Sequence, residues 1–433
     1  MFPSEIEIIA PARPLGATID VPGSKSITNR VLLLAAMADG ISVLKSALLS
    51  DDTYSMVAAL RTLGIDVAVN ETDRIITVHG RGGVIPAVSA NLDIGGAGTS
   101  MRFLAGFLTL GHGRFRLDGN GRMRQRPIDS LLKALRQLGI DARSENNEGF
   151  PPIIIDTASI ASVGQEVTID AGLSSQFASA LLMPAPLWPH GLMLSVIGEA
   201  ARPFIDMTVD LMKRWGVEVL SDGDRIMVPG GQRYSATNFT IEPDATSASY
   251  FTAAAALVGG KVTIRGLKQD SVQGDLRFLD ILEQMGTEVR WHSDGVDVIG
   301  SGRLAGIDVQ MNTMPDVVAT LAAIAPFASS PTHIRRVGFI RHHESDRIRA
   351  LATELARLGA RVREFDDGLE IRPSLLHQAV VETYEDHRIA MAFAVAGLKV
   401  AGLKIKNPGC VAKTYPEFFD HLRNLTGPLS AVC

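Results

Sequence analysis

The sequence predicts an α/β protein built from six copies of one module and divided into two parts. Two recurring helix signatures and the short β-branched runs that follow them carry this reading. The length of 433 residues also exceeds what one hydrophobic core normally serves, so two domains are expected.

The first signature is a small or polar cap followed by an Ala/Leu-rich segment ending near Gly or Ser. It appears at Ser26–Gly40, Thr99–Gly113, Ser175–Gly191, Thr246–Gly260, Asp316–Ser329 and Asp386–Gly402. The interval is roughly 70 residues, well outside the short solenoid periods. These segments are apolar nearly all round, which predicts helices buried inside their domain. The second signature is amphipathic and shares an ending: MVAALRTLGIDV, LLKALRQLGIDA, TVDLMKRWGVEV, FLDILEQMGTEV and LATELARLGARV. Its Gly falls one position past the last turn, where a left-handed residue ends a helix at least cost. Runs such as RIITVHG, RIMVPG and VDVIG then read as strands, giving a βαβ-type module. Six modules divide into two groups of three, with the boundary predicted near Asn238–Asp244.

Charge excludes several function classes. The 42 Lys and Arg against 47 Asp and Glu leave a formal charge of −5, so no global attraction draws the chain to nucleic acid or an anionic membrane. Affinity for anions must come from local clusters. Cys410 and Cys433 form neither a metal knuckle nor a redox pair, which points to a reducing compartment. The start MFPSEIEIIAPARP lacks the basic and apolar runs of a secretory signal, and a cytoplasmic location is expected.

The unusual residues gather at the helix starts. In Pro22–Arg30 (PGSKSITNR) a turn feeds a Ser-capped helix whose partly positive end faces outward, with Lys25 beside it and Ser26 and Arg30 on one face. This is an anion site without the upstream glycine spacing of a Walker loop. Gly95–Arg102 (GGAGTSMR) repeats the logic, since glycines let a ligand approach the backbone. The loop Gly121–Pro127 adds Arg122, Arg124 and Arg126, of which one or two are expected to be functional. Ser174, Ser175 and Gln176 offer hydroxyls and an amide. In the second half acids join the pattern: Asp316, Glu344 ahead of Arg347, and Asp386-His387-Arg388, with Lys413 near the end. Asp386 reads as a helix cap, whereas Asp316 and Glu344 suit general acid/base work beside a bound anion. His342, His343, Glu344 and His387 fit no zinc spacing and lie among arginines, so neither a metal nor a cofactor is expected.

Together these strings resemble the 5-enolpyruvylshikimate-3-phosphate synthase family of the shikimate pathway. PGSKS-x-x-NR, AGT-x-x-R, RPI, SSQF, DA-x-SASYF, QGD, PD, ESDR, DHR-x-AM and AKT-x-P occur in the family's order between Val21 and Phe419. The resemblance implies two globular domains, each three βαβαββ repeats in an inverse α/β barrel. Residues 21–241 would form the N-terminal globe, and residues 1–20 with 242–433 the C-terminal one. The globes are expected to close on substrate. It further implies transfer of the enolpyruvyl group of phosphoenolpyruvate to the 5-hydroxyl of shikimate 3-phosphate, by a monomeric enzyme with no cofactor. Phosphoenolpyruvate would contact Lys25, Gly98, Arg126, Gln176, Arg347, Arg388 and Lys413. Shikimate 3-phosphate would contact Lys25, Ser26, Arg30, Ser174, Ser175, Gln176, Asp316 and His343. Asp316, Glu344 and Lys25 would jointly handle the protons.

Some positions depart from the family's commonest pattern. His343 stands where many members have Lys, Phe339 where Asn is frequent, and Ala201 and Phe204 where Ser and Tyr are. Arg202 is a candidate to compensate. The sister family that uses UDP-N-acetylglucosamine carries Asn after the first-helix Lys and usually a Cys in the arginine loop, whereas this chain has Ser26 and no Cys there.

Overall fold

The computed structural model describes residues 2–158, 165–198, 201–426 and 430–432; Cys433 lies outside them. The chain forms two compact units, Gly23–Ile241 and Met1–Pro22 with Glu242–Cys433. The described helices are α1 (Lys25–Met37), α2 (Asp51–Thr62), α3 (Gly98–Phe107), α4 (Asp129–Gln137), α5 (Gln176–Leu182) and α6 (Arg202–Arg214). They continue with α7 (Ala245–Val258), α8 (Phe278–Gln284), α9 (Val318–Ile324), α10 (Arg347–Arg357), α11 (His387–Gly397) and α12 (Phe418–Thr426).

The repeat is a βαβαββ module. In one copy, strand Ser89–Asp93 leads through α3 to Arg114–Asp118, then through α4 to the hairpin Asp141–Ser144 and Ile153–Asp156. The first two strands pair in parallel, and the last strand lies antiparallel between the second and third. The same order of four recurs in five of the six described sheets. In two of those five the chain supplies the parallel edge from far away. Asn238–Thr240 pairs with Asp39–Lys45 in one unit, and Leu15–Ile19 with Gly260–Arg265 in the other. The sixth sheet is completed by Glu5–Glu7, held antiparallel between Lys404–Lys406 and Ser430–Val432.

Within each unit the apolar helices form the core. In Gly23–Ile241, α3 packs on α1 and α5; in the other unit, α7, α9 and α11 pack on one another. α1 is buried from Ile27 to Met37, and α11 along its whole length. These helices are shorter than their sequence signatures. α1 stops at Met37, and Gly40 already belongs to strand Asp39–Lys45. α5 and α9 end where Pro184, Pro186 and Pro326 withhold backbone donors, and short 3₁₀ turns at Ala185–Leu187 and Ala325–Phe327 take over. The amphipathic helices behave as their shared ending predicts. Gly64, Gly139, Gly216, Gly286 and Gly359 follow α2, α4, α6, α8 and α10 with φ between 86° and 101°.

Candidate active site

In the unit Gly23–Ile241 the helix starts gather basic groups. The Pro22-Gly23 turn is tight because a Cβ on Gly23 would overlap the Ser46 carbonyl, which itself lies in a left-handed turn. Ser24 is the N-cap of α1, but no side chain caps the helix, contrary to the expected Ser cap. Thr28 Oγ1 instead donates back to the Ser24 carbonyl at 2.7 Å. Lys25 Nζ lies 3.6 Å from the buried carboxylate of Asp52 in the first turn of α2. Asp52 was missed because an acid in a helix's first turn reads as a dipole partner.

Arg30 is only 2% exposed. Its Nε donates to Thr208 Oγ1 at 2.7 Å, Nη1 to the Ser26 carbonyl at 2.8 Å and Nη2 to the Phe204 carbonyl at 3.0 Å. Its guanidinium also lies 5.0 Å from the centroid of the Phe103 ring. No carboxylate is among these partners, and burial pushes its pKa down to about 9. Thr208 and the Phe204 carbonyl come from α6, so Phe204 enters the site through its backbone. Arg202, the candidate for compensation, is engaged with Asp206 at 2.9 Å and Asp224 at 3.5 Å.

α3 begins at Gly98, packed under two guanidinium groups. A Cβ there would come 2.6 Å from Arg102 Nη1 and 2.7 Å from Arg126 Cζ. Arg102 Nη1 is anchored on the Gly98 carbonyl at 3.0 Å, and Arg126 is buried. Arg124 is exposed and bonds both Asp118 oxygens, at 2.9 and 2.7 Å. That bonding holds the Asp118 pKa down at about 2. Of the three loop arginines, Arg126 is therefore the one brought to the helix start. Gln176 Nε2 donates to Thr99 Oγ1 at 3.2 Å, while its buried Oε1 has no protein partner. Ser174 Oγ accepts from the Gln176 N–H at 3.2 Å, and Ser175 is buried beside them.

The other unit carries an ion-pair network around Arg347, at the start of α10. Its Nε donates to Asp386 Oδ2 at 2.9 Å and its Nη2 to Glu344 Oε2 at 2.8 Å. Nη1 is 3.3 Å from Asp316 Oδ1 and 3.2 Å from His343 Nδ1. Arg388 Nη2 binds the other Asp316 oxygen at 2.6 Å. Burial alone would lower both arginine pKa values, but Asp386 and Glu344 around Arg347, and Asp316 beside Arg388, carry them above the ordinary value. Asp386 does cap α11, accepting from the Arg388 N–H at 3.0 Å, but it also grips Arg347 and accepts from Ser345 Oγ at 2.9 Å. The cap reading caught only the first of these roles. His343 packs edge-on against Phe339, with ring centroids 5.8 Å apart, so these two departures from the family pattern form one contact. Lys413 ends the 3₁₀ turn Pro408–Lys413, which packs on α11.

Among the described residues no group of three or more His, Cys, Asp or Glu could hold a metal ion, and no helix is long and apolar enough to cross a membrane.

Comparison with known proteins places this arrangement. The family model for EPSP synthase (3-phosphoshikimate 1-carboxyvinyltransferase) matches residues 9–422. A 3-phosphoshikimate 1-carboxyvinyltransferase from Nostoc punctiforme is 48% identical over 416 residues, covering 96% of this chain and 97% of the relative. One of the same name from Trichormus variabilis is 47% identical over 424 residues, covering 98% and 99%. The solved EPSP synthase from Acinetobacter baumannii superposes with a TM-score of 0.81 at 25% identity, over 98% of this chain and 99% of that one. With its βαβαββ repeats, its paired sets of charged helix starts and near-complete coverage by these relatives, this chain belongs to the EPSP synthase family.

Proposed function

We propose that this chain transfers the enolpyruvyl group of phosphoenolpyruvate to the 5-hydroxyl of shikimate 3-phosphate and releases inorganic phosphate, a step of the shikimate pathway to aromatic amino acids. The observation that carries the reading is the network of Asp316 and Glu344 on Arg347 and Arg388. It keeps carboxylates for proton transfer against guanidinium groups suited to anions, in a chain whose family performs this reaction. Arginine forks match the two oxygens of a carboxylate or phosphate, so Arg126, Arg347 and Arg388, with Lys25, Gly98, Gln176 and Lys413, are assigned to phosphoenolpyruvate. Ser26, Arg30, Ser174, Ser175, Gln176, Asp316 and His343, with Lys25, are assigned to shikimate 3-phosphate. Residues 21–241, and residues 1–20 with 242–433, are taken as the two functional globes of a cytoplasmic monomer.

The reaction proceeds by addition and elimination. The 5-hydroxyl oxygen bonds to C2 of the enol and gives up its proton while C3 gains one. The adduct then loses a proton from C3 as the C2–O bond to phosphate breaks. Asp316, Glu344 and Lys25 share these transfers. Asp316 is held by two arginines, which fixes its carboxylate in position to take part in these transfers. Phosphate release from phosphoenolpyruvate tests the reading, with shikimate 3-phosphate or UDP-N-acetylglucosamine as acceptor. Release with the first alone is expected. Binding of shikimate 3-phosphate without release would favour a ligand sensor, and release with the second would move the chain to the sister reaction.

A further inference from the structure

The Gln273-Gly274-Asp275 turn plays no part in the mechanism above, yet it buries an acid among the groups that do. Gln273 staples the turn to the start of α7: its Oε1 accepts from the Ala245 N–H at 3.0 Å and its Nε2 donates to the Pro243 carbonyl at 2.9 Å. Asp275 is thereby brought under the first turn of α7, where Thr246 Oγ1 donates to Asp275 Oδ2. Its other oxygen, Oδ1, is buried without a hydrogen-bond partner. The 3₁₀ turn Gly274–Arg277 packs against the turn Pro315–Val317 that carries Asp316. The charges acting on Asp275 are Asp316, Arg388 at the start of α11, and the α7 cap Asp244. The acids of the adjoining α8, Asp280 and Glu283, are exposed to solvent.

An ionised carboxylate here would leave one oxygen buried and unbonded beside a second carboxylate that already holds Arg388 and Arg347. Burial first, and the Asp316 charge second, push the Asp275 carboxyl up to about 7. We propose that Asp275 is a positioning residue whose neutral form leaves Arg388 with Asp316 as its carboxylate partner and able to engage an anionic substrate. Ionisation of Asp275 places a second negative charge near Arg388 and weakens its grip on that substrate. The proposal rests on the function assigned above and adds a residue to it.

The test is the KM for phosphoenolpyruvate as a function of pH, in the full chain and in Asp275→Asn. Above its inflection the wild-type KM is expected to rise by up to about tenfold per pH unit, as for a single controlling ionisation, while Asp275→Asn stays within about twofold. Comparison with Asp275→Asn removes the titration of the substrate's own phosphate from the reading. Thr246→Val gives a second handle if Asp275→Asn does not fold. The Thr246 bond favours the ionised carboxylate, so its loss moves the inflection to higher pH. An Asp275→Asn profile that tracks the wild type, or a Thr246→Val inflection that does not move, overturns the proposal. Absence of any turnover with shikimate 3-phosphate at every pH overturns the parent function instead, and this inference with it.

Discussion

Arg30 and Arg347 are both buried arginines at or near a helix start, and they are satisfied in opposite ways. The hydrogen-bond acceptors around Arg30 are hydroxyls and carbonyls from Thr208, Ser179, Ser26 and Phe204. Arg347 is enclosed by the carboxylates of Asp386, Glu344 and Asp316. A guanidinium bonded to neutral acceptors keeps its whole positive charge to act on a nearby anion. One bonded to carboxylates shares that charge with them and holds them in place. The contrast separates a guanidinium bonded to neutral groups in the unit Gly23–Ile241 from guanidinium groups interlocked with carboxylates in the other. Local clusters of this kind let a chain of charge −5 present positive charge.

Arg347→Met probes the contrast with the largest expected effect. It leaves Asp386, which is fully buried, without its charged partner, and about 3–5 kcal/mol of stability should be lost. Urea unfolding measures this. Glu344→Gln comes next. Turnover should fall by about a hundredfold or more, the scale of a lost acid/base group, with much smaller changes in substrate binding. An unchanged turnover number removes Glu344 from the chemistry. Arg30→Met should cost less stability than Arg347→Met, about 1–3 kcal/mol, because it strands hydroxyls and carbonyls but no carboxylate. Equal losses in the two methionine variants would break the comparison. The smallest effect is expected from Gly98→Ala. Its methyl group displaces Arg102 and Arg126, and the KM for phosphoenolpyruvate should rise about tenfold, or 1.4 kcal/mol. Steady-state kinetics with an unchanged KM would show that Arg126 adjusts freely.

The repeats were legible because their signals are local. A left-handed Gly after each amphipathic helix and an apolar stripe inside each unit need only neighbours in sequence to be recognised. The candidate residues at helix starts were legible for the same reason, reinforced by the order of the family motifs. What the sequence hid is long-range. Thr208 meets Arg30 across 178 residues, and Asp386 meets Arg347 across 39. A carboxylate read from its own segment shows its cap, not its distant partner. In the sequence Asp275 stands out only as part of the QGD motif, since neither its burial nor its unbonded oxygen has a local signature. The helix ends were overrun where prolines or an early strand intervened, as at Pro184 and Asp39.

The pairing of Leu15–Ile19 with Gly260–Arg265, and of Glu5–Glu7 with Lys404–Lys406, has a consequence for synthesis on the ribosome. The unit Gly23–Ile241 is made without interruption, and its closing strand Asn238–Thr240 finds Asp39–Lys45 already present. Strand Leu15–Ile19 emerges earlier but must wait for a partner more than two hundred residues downstream, on the order of tens of seconds at about 5–20 residues per second. Glu5–Glu7 waits longer, until nearly the whole chain has emerged. The two units therefore mature in sequence, and the nascent chain carries its first strands past one finished unit before the second can close over them.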